Sequence, residues 1–268
     1  MIKSNHIYTL ILVASLLFTS CSEYQKTLKN TDVKAKYDLA EELYDSGDYK
    51  RALRLFEQIA PSYVGKPQGE RILYFFADAY YQTEDYYLAA YQFERFSKSY
   101  PRSDKAEEAA FLSAKSKFML SPKYSNDQTE TNEAIDKLQI FINNYPSSDY
   151  MSEANEMARE LRNKLDKKAF EVAKQYNTLS DYKASIKSFE LFLSDSPGSI
   201  YREDALFYKM TAEYNLAVNS IYARMEERLS AAKSTYTTLL KYFPETKYQK
   251  DADKMLAVID NELQKFSK

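Results

Sequence analysis

The chain has 268 residues, of which 44% are hydrophobic, 28% charged and 15% aromatic, a composition typical of a folded protein with a sizeable core. Its formal net charge of −2 excludes a strongly basic nucleic-acid-binding protein. It contains only four glycines, and no Gly-rich phosphate-binding motif is present.

The N-terminus has the features of a bacterial lipoprotein signal. Lys3 precedes an apolar stretch, residues 7–18, which is 12 residues long and therefore shorter than the roughly 20 residues of a membrane-spanning helix. Two small residues and Cys21 follow, an order that resembles a lipobox. We expect residues 1–20 to be a signal peptide, Cys21 to be lipidated and residues 21–31 to form a lipidated tether. An ordinary signal with a free thiol is the alternative.

Cleavage before Cys21 also removes the only histidine, His6. Catalytic arrangements that use His, and the usual zinc ligands, are then excluded, and the sequence suggests no cofactor. Ser22 follows the cysteine. In the best-known sorting rule of Gram-negative bacteria an Asp at that position retains a lipoprotein in the inner membrane. We therefore expect a lipid anchor in the outer membrane, on its periplasmic face.

A nine-residue pattern, Pro-x-[Ser/Thr]-x-[Lys/Tyr]-x-x-[Glu/Asp]-Ala, occurs four times, beginning at Pro101, Pro146, Pro197 and Pro244. Proline ends the preceding helix, and the Ser or Thr is predicted to be the N-cap of the next one. A small residue stands 12 residues before each proline, and larger apolar residues follow it at spacings of four and three. Such spacing places these residues on one face of a helix.

This arrangement resembles the tetratricopeptide repeat, a helix-turn-helix unit that stacks into a solenoid. We therefore predict an all-α solenoid of about five such repeats, with a capping helix at 248–266. Because turn residues are absent between 148 and 176, one long helix is expected near 150–176. That helix would separate residues 32–149, with repeats 1 to 3, from residues 150–268, with repeats 4 and 5 and the cap.

Six aromatic residues recur in the first helices of repeats 1 to 3. Each pair is separated by seven residues, and successive pairs follow at intervals of 37 residues, so the members of a pair share a helix face. We predict an aromatic groove that binds a peptide or an extended segment. The alternative is that these rings fill the core. The candidate substrate-binding residues are Tyr37, Tyr44, Tyr74, Tyr81, Phe111 and Phe118.

The chain as a whole resembles the BamD family, the lipoproteins of the outer-membrane β-barrel assembly machine. The resemblance rests on the lipoprotein signal, the repeats, the recurring Tyr-Pro pair before Ser (Tyr100-Pro101 and Tyr145-Pro146) and the stretch from Asp127 to Ser148. It implies a scaffold that binds a BamA-like barrel insertase, other machine subunits and unfolded outer-membrane β-barrel proteins, but no nucleic acid.

The resemblance also implies a division of roles, with clients at the N-terminal repeats and the insertase at the C-terminal ones. The candidate partner-binding residues are therefore Arg224, Arg228 and Tyr236. Two alternatives stay open. One is a generic tetratricopeptide lipoprotein adaptor for cell-envelope enzymes, and the other is a hydrolase that uses a Ser-Lys or carboxylate pair. The sequence favours a protein that is not an enzyme.

Overall fold

The computed structural model describes residues 23–67 and 69–266, so the predicted lipidation site, Cys21, lies outside the described residues. This part of the chain is all-helical, with twelve helices and no strand, which confirms the predicted fold class. The helices are α1 (23–29), α2 (Val33–Asp45), α3 (Tyr49–Tyr63), α4 (Gly69–Gln82), α5 (Tyr86–Ser99), α6 (Ala106–Leu120), α7 (Thr129–Asn144), α8 (Met151–Thr178), α9 (Tyr182–Asp195), α10 (Arg202–Val218), α11 (Tyr222–Tyr242) and α12 (Gln249–Leu263).

The helices form two compact units. Among the described residues, unit 1 comprises those up to Ser121 together with Thr129–Ala158, and unit 2 comprises Pro122–Gln128 and those from Arg159 onward. The boundary falls inside α8, which is the long helix that the sequence predicts near 150–176.

In unit 1 the helices from α2 to α7 pack against one another in chain order, as in a helical-repeat fold. The small residues of the repeat pattern, Ala52, Ala89 and Ala134, are completely buried. The larger residues that follow them at the predicted spacing are buried too, and Phe56 and Phe93 are examples. The helix faces predicted from the spacing are therefore correct in this unit.

Unit 2 repeats this arrangement in the second part of the chain. Ser185 and Ala232 take the place of the small residues and are completely buried. The Ser185 hydroxyl donates a hydrogen bond to the carbonyl oxygen of Ala173 at 2.9 Å, which satisfies the buried polar group. Helices α10, α11 and α12 share a second apolar core. The predicted capping helix corresponds to α12.

The ends of the helices differ in part from the prediction. Three aspartates, Asp48, Asp85 and Asp181, precede α3, α5 and α9, and each side chain accepts a hydrogen bond from a backbone N–H of the first turn. The predicted Ser and Thr N-caps are wrong by about two residues. Their hydroxyl oxygens accept from the backbone N–H two residues later, so they form a turn that precedes the helix. These residues are Ser103, Ser148, Ser199 and Thr246.

Helix α1 belongs to the segment predicted to be a tether, and it packs against the other helices of unit 1. The Tyr24 side chain is only 6% exposed and lies in the core of this unit. Its hydroxyl donates to the Arg51 carbonyl oxygen at 3.5 Å, and the Arg51 guanidinium lies 5.5 Å from the centre of its ring. The described part of the segment is therefore fixed to the folded body from Tyr24 onward.

Candidate functional site

A cavity of about 790 Å³ opens in unit 1, which is within the usual size of a ligand site. Helices α2 and α4 contribute most of its wall, and α5, α6 and the segment before α4 complete it. The lining combines aromatic rings with charged side chains. It consists of Tyr37, Tyr44, Pro67, Glu70, Arg71, Tyr74, Phe75, Asp78, Phe96, Lys105 and Glu108.

The aromatic wall of the cavity is held in place by ring contacts. The rings of Tyr44 and Phe75 are stacked, with centroids 4.3 Å apart and planes 15° apart. Tyr74 meets Phe93 edge-on at 5.9 Å and Phe96 at 5.5 Å. Pairs in these geometries are each worth about 0.5–1.5 kcal/mol beyond the area they bury. The wall is therefore preorganised, and a ligand need not pay to order these side chains.

Two cations of the lining are already paired with carboxylates. Arg71 forms an ion pair with Glu41, and its guanidinium lies 5.1 Å from the centre of the Phe75 ring. The Lys105 Nζ lies 2.6 Å from Glu108 Oε2 and 5.3 Å from the centre of the Tyr74 ring. The hydrogen bond to Glu108 raises the pKa of Lys105 despite partial burial, so this ammonium stays charged at neutral pH.

Asp78 is a buried acid in the cavity wall, with 8% exposure. Its carboxylate accepts hydrogen bonds from the Tyr44 hydroxyl and from Gln82 Nε2, the latter at 3.3 Å to Oδ1. Burial, together with the hydrogen bond to Asp78, raises the pKa of Tyr44 well above its usual range. The Tyr44 hydroxyl therefore remains a donor, and this bond fixes the ring that stacks on Phe75.

The structure brings together three of the six predicted groove residues, Tyr37, Tyr44 and Tyr74, in this cavity. Tyr81 packs edge-on against Tyr86, with centroids 5.5 Å apart, and is not part of the lining.

The two remaining groove candidates, on α6, are also outside the lining. Phe111 is only 2% exposed, and its ring stacks on Tyr150 at 4.5 Å. Phe118 lies half-buried near the end of α6. Phe111 thus fills the core of unit 1, as the alternative interpretation of these aromatic residues predicts for this position.

Lys105 explains why the cavity lies beside Tyr74. It is the fifth residue of the repeat pattern, a position that is tyrosine in the three later occurrences. Each of these tyrosine rings stacks on an aromatic ring of an earlier helix. The pairs are Tyr150 on Phe111 at 4.5 Å, Tyr201 on Phe170 at 5.5 Å and Tyr248 on Phe207 at 3.9 Å.

Tyr74 is the counterpart of Phe111, because it precedes that residue by one 37-residue interval. Its partner is the lysine, whose aliphatic chain is thinner than a ring and whose ammonium lies over the face of Tyr74. Lys105 thus borders the cavity at the pattern position where the later occurrences carry a tyrosine ring.

The three predicted partner-binding residues lie on α11 in unit 2. Arg224 is exposed and forms an ion pair with Glu227 at 3.4 Å. Arg228 is half-buried and donates to the Ser220 hydroxyl. Tyr236 donates to Asp253 Oδ1 at 2.7 Å, and this bond raises the pKa of Tyr236. Arg224 and Arg228 lie one turn apart, and only Arg224 projects far into solvent.

Most of the chain matches a known protein family. The model of the YfiO family, described as outer membrane lipoprotein, matches residues 29–229, three quarters of the chain. The chain belongs to the YfiO family. The resemblance to BamD-like lipoproteins is thereby confirmed. No curated protein matches the chain.

The matched residues of this YfiO-family chain cover the cavity of unit 1 and extend into α11, where the match includes Arg224 and Arg228. Tyr236 lies beyond it. Among the described residues no helix is long and apolar enough to cross a membrane. In the same part of the chain, no group of three or more His, Cys, Asp or Glu side chains is arranged to hold a metal ion.

The predicted site residues include three of the eleven lining residues of this family member, and the eight others include Arg71, Phe75, Asp78 and Lys105. Three of these four flank Tyr74 on α4, at spacings of one, three and four residues, and could have been found by examining the neighbours of the predicted tyrosine. Lys105 was detectable as the one occurrence of the fifth pattern position that is not tyrosine.

Proposed function

We propose that the chain is a lipid-anchored scaffold of the outer-membrane β-barrel assembly machine. Lipidation at Cys21 would anchor it to the periplasmic face of the outer membrane. Unit 1 would bind unfolded β-barrel proteins, and unit 2 would bind a BamA-like barrel insertase. Membership of a family described as outer membrane lipoprotein supports the membrane part of this proposal.

The cavity of unit 1 is the observation that carries the client-binding part. Barrel proteins carry aromatic residues at regular positions along their strands, and an unfolded client exposes them. The stacked rings of Tyr44 and Phe75, with Tyr74 beside them, form a preorganised apolar surface for such side chains. At about 790 Å³ the cavity has room for more than one aromatic side chain.

The proposed mechanism is positioning, with no covalent step. A chain that binds a client through one unit and the insertase through the other makes their encounter intramolecular. The effective concentration of the client near the insertase then reaches about millimolar values if both sites are occupied together. A modest affinity at each site is sufficient for such a scaffold, and it allows the client to be released.

The insertase-binding part is tested with residues 22–268 and the periplasmic domains of the BamA-like protein from the same organism. We expect saturable binding, and we expect Arg224→Ala to weaken it while the circular dichroism spectrum stays unchanged. Absence of binding at tens of micromolar, with both partners folded, would contradict this part and favour the generic adaptor for envelope enzymes.

The client-binding part is tested separately with a labelled peptide from the last strand of an outer-membrane barrel protein. We expect fluorescence anisotropy to show saturable binding that a peptide of the same length, with its aromatic residues replaced by Ser, does not share. Equal binding of the two peptides would exclude aromatic recognition by the cavity.

A further inference from the structure

The charges that line the cavity of unit 1 do not balance. Arg71 and Lys105 are its cations, and each is already paired with a carboxylate, of Glu41 and Glu108 respectively. Two further acids, Glu70 and Asp78, line the same space. The wall therefore carries excess negative charge, although its largest surfaces are aromatic.

Asp78 is the acid that most affects a ligand, because it is the most deeply buried. The hydrogen bonds that it accepts come from Tyr44 and Gln82, which are neutral groups. They stabilise the carboxylate without cancelling its charge. A charge acts more strongly in a buried, poorly hydrated site than at the surface.

Tyr74 lies one turn before Asp78 on the same face of α4, and its pKa responds to this negative charge. Burial raises its pKa above the usual range, and the charges of Glu108 and Asp78 raise it further. An anion that enters the cavity meets the same field.

We propose that the cavity selects a segment in which an aromatic side chain is accompanied by a positively charged one, and that it disfavours a free C-terminal carboxylate. This inference rests on the proposed client-binding function and specifies its ligand. An ammonium or guanidinium group is attracted by the buried carboxylate of Asp78. A carboxylate is repelled by Asp78, and the two cations that could offset this repulsion are already paired.

A segment would therefore bind through internal residues, with its chain terminus outside the cavity. Three peptides of one aromatic-rich strand sequence test this with the full chain in detergent. The first has a free C-terminal carboxylate, the second has a C-terminal amide, and the third has the amide and a Lys beside its last aromatic residue. We expect affinity to rise in that order, with about three- to tenfold between the first and second.

The variant Asp78→Asn removes the charge and keeps an oxygen that can accept from Tyr44. In this variant we expect the affinities of the free-carboxylate and amide peptides to differ by less than twofold. Glu57→Gln is the matched control, since Glu57 accepts a hydrogen bond from the Tyr80 hydroxyl at 2.9 Å and lies in unit 1 outside the cavity. We expect it to retain the full difference between the peptides.

Should Asp78→Asn lower the melting temperature too far for titration, Glu70→Gln provides a second variant at a less buried position of the wall. The inference is overturned if the free-carboxylate peptide binds as tightly as the amide, or if Glu57→Gln removes the difference as completely as Asp78→Asn. Failure of all three peptides to bind would overturn the client-binding proposal as well, and would thus be distinguishable from failure of the charge argument alone.

Discussion

The two units use the same repeat pattern with different residues at one position. In unit 2 the fifth residue of the pattern is Tyr201 or Tyr248, and each ring stacks on a phenylalanine. In unit 1 the first occurrence is Lys105, which covers Tyr74 with a thin chain and borders the cavity. Units built on the same repeat pattern can therefore differ locally, with a stacked ring at this position in one unit and a narrower side chain beside a cavity in the other.

Both versions of the pattern, with tyrosine or with lysine at the fifth position, occur within unit 1. Tyr150 fills the space beside Phe111, whereas Lys105 leaves space beside Tyr74. Phe111 and Tyr74 occupy equivalent positions, yet one is core and the other lines a cavity. Equivalent positions in a repeat therefore have different roles, and the partner residue decides between them.

Phe111→Ala should have the largest effect on stability. The ring is 2% exposed and stacked on Tyr150, so its loss should lower the free energy of unfolding by about 3–5 kcal/mol. Urea denaturation measures the loss, and hydrogen exchange should place it in the helices of unit 1. Phe118→Ala is the matched variant on the same helix, and we expect it to cost less than half as much. Equal losses would contradict the distinction between these two residues.

Lys105→Tyr should restore the packing seen in the other repeats. The new ring should stack on Tyr74, raise the free energy of unfolding by about 1 kcal/mol and reduce the affinity for an aromatic peptide at least tenfold, which is about 1.4 kcal/mol. Thermal melts and anisotropy titrations measure the two effects. Lys50→Tyr, at an exposed position on α3, is the control. Unchanged affinity in Lys105→Tyr would show that ligands bind elsewhere.

Glu94→Gln should remove a contact in unit 1 whose contribution to stability depends on pH. Burial tends to raise the pKa of Glu94, but hydrogen bonds from Lys137 at 2.6 Å and Lys98 at 2.8 Å outweigh it and lower the pKa below 4.5. A lowered carboxyl pKa gives stability that is present above pH 4.5 and lost as the pH falls through the folded-state value.

The variant should therefore be less stable than the wild type by about 1 kcal/mol at neutral pH. We expect this difference to shrink progressively below pH 4.5, the ordinary value for the group. Urea denaturation at several pH values measures it, with Glu226→Gln on α11 as the control. A difference that stays constant as the pH falls would contradict the assigned contacts.

Arg224→Ala should have the smallest effect on stability. The side chain is 64% exposed, and its ion pair with Glu227 spans 3.4 Å, so the free energy of unfolding should change by less than about 0.5 kcal/mol. Any loss of insertase binding in this variant would then reflect the interface itself. Arg228→Ala would not separate binding from stability as well, because Arg228 also donates a hydrogen bond to the Ser220 hydroxyl.

The fold was largely predictable from the sequence because the repeat pattern encodes packing directly. Small residues such as Ala52 and Ala89 recur at buried positions of the repeats, and a proline recurs shortly after α5, α7, α9 and α11 end. The long helix α8 was visible as an absence of turn residues. The Ser and Thr N-caps were misplaced because a hydroxyl can satisfy a backbone N–H in a turn as well as at a helix start.

The site was only half predictable, for a physical reason. Helical spacing identifies which residues share a face, and three of the residues it selected, Tyr37, Tyr44 and Tyr74, line the cavity. The spacing does not identify the residue that packs against that face, because that residue comes from another helix. Phe111 is buried because Tyr150 stacks on it, and that contact joins residues 39 positions apart. The role of Asp78 likewise depends on Tyr44, which lies on a different helix.

We predict that the cavity beside Tyr74 binds aromatic segments, and photo-crosslinking would show which residues such a segment contacts. A barrel-derived peptide with benzoylphenylalanine at one aromatic position would be irradiated with the full chain, and the adducts mapped by mass spectrometry. We predict adducts at Tyr74, Phe75 or Lys105, and we predict that Lys105→Tyr removes them. Adducts confined to Tyr201, Phe207 or other residues of unit 2 would contradict the account.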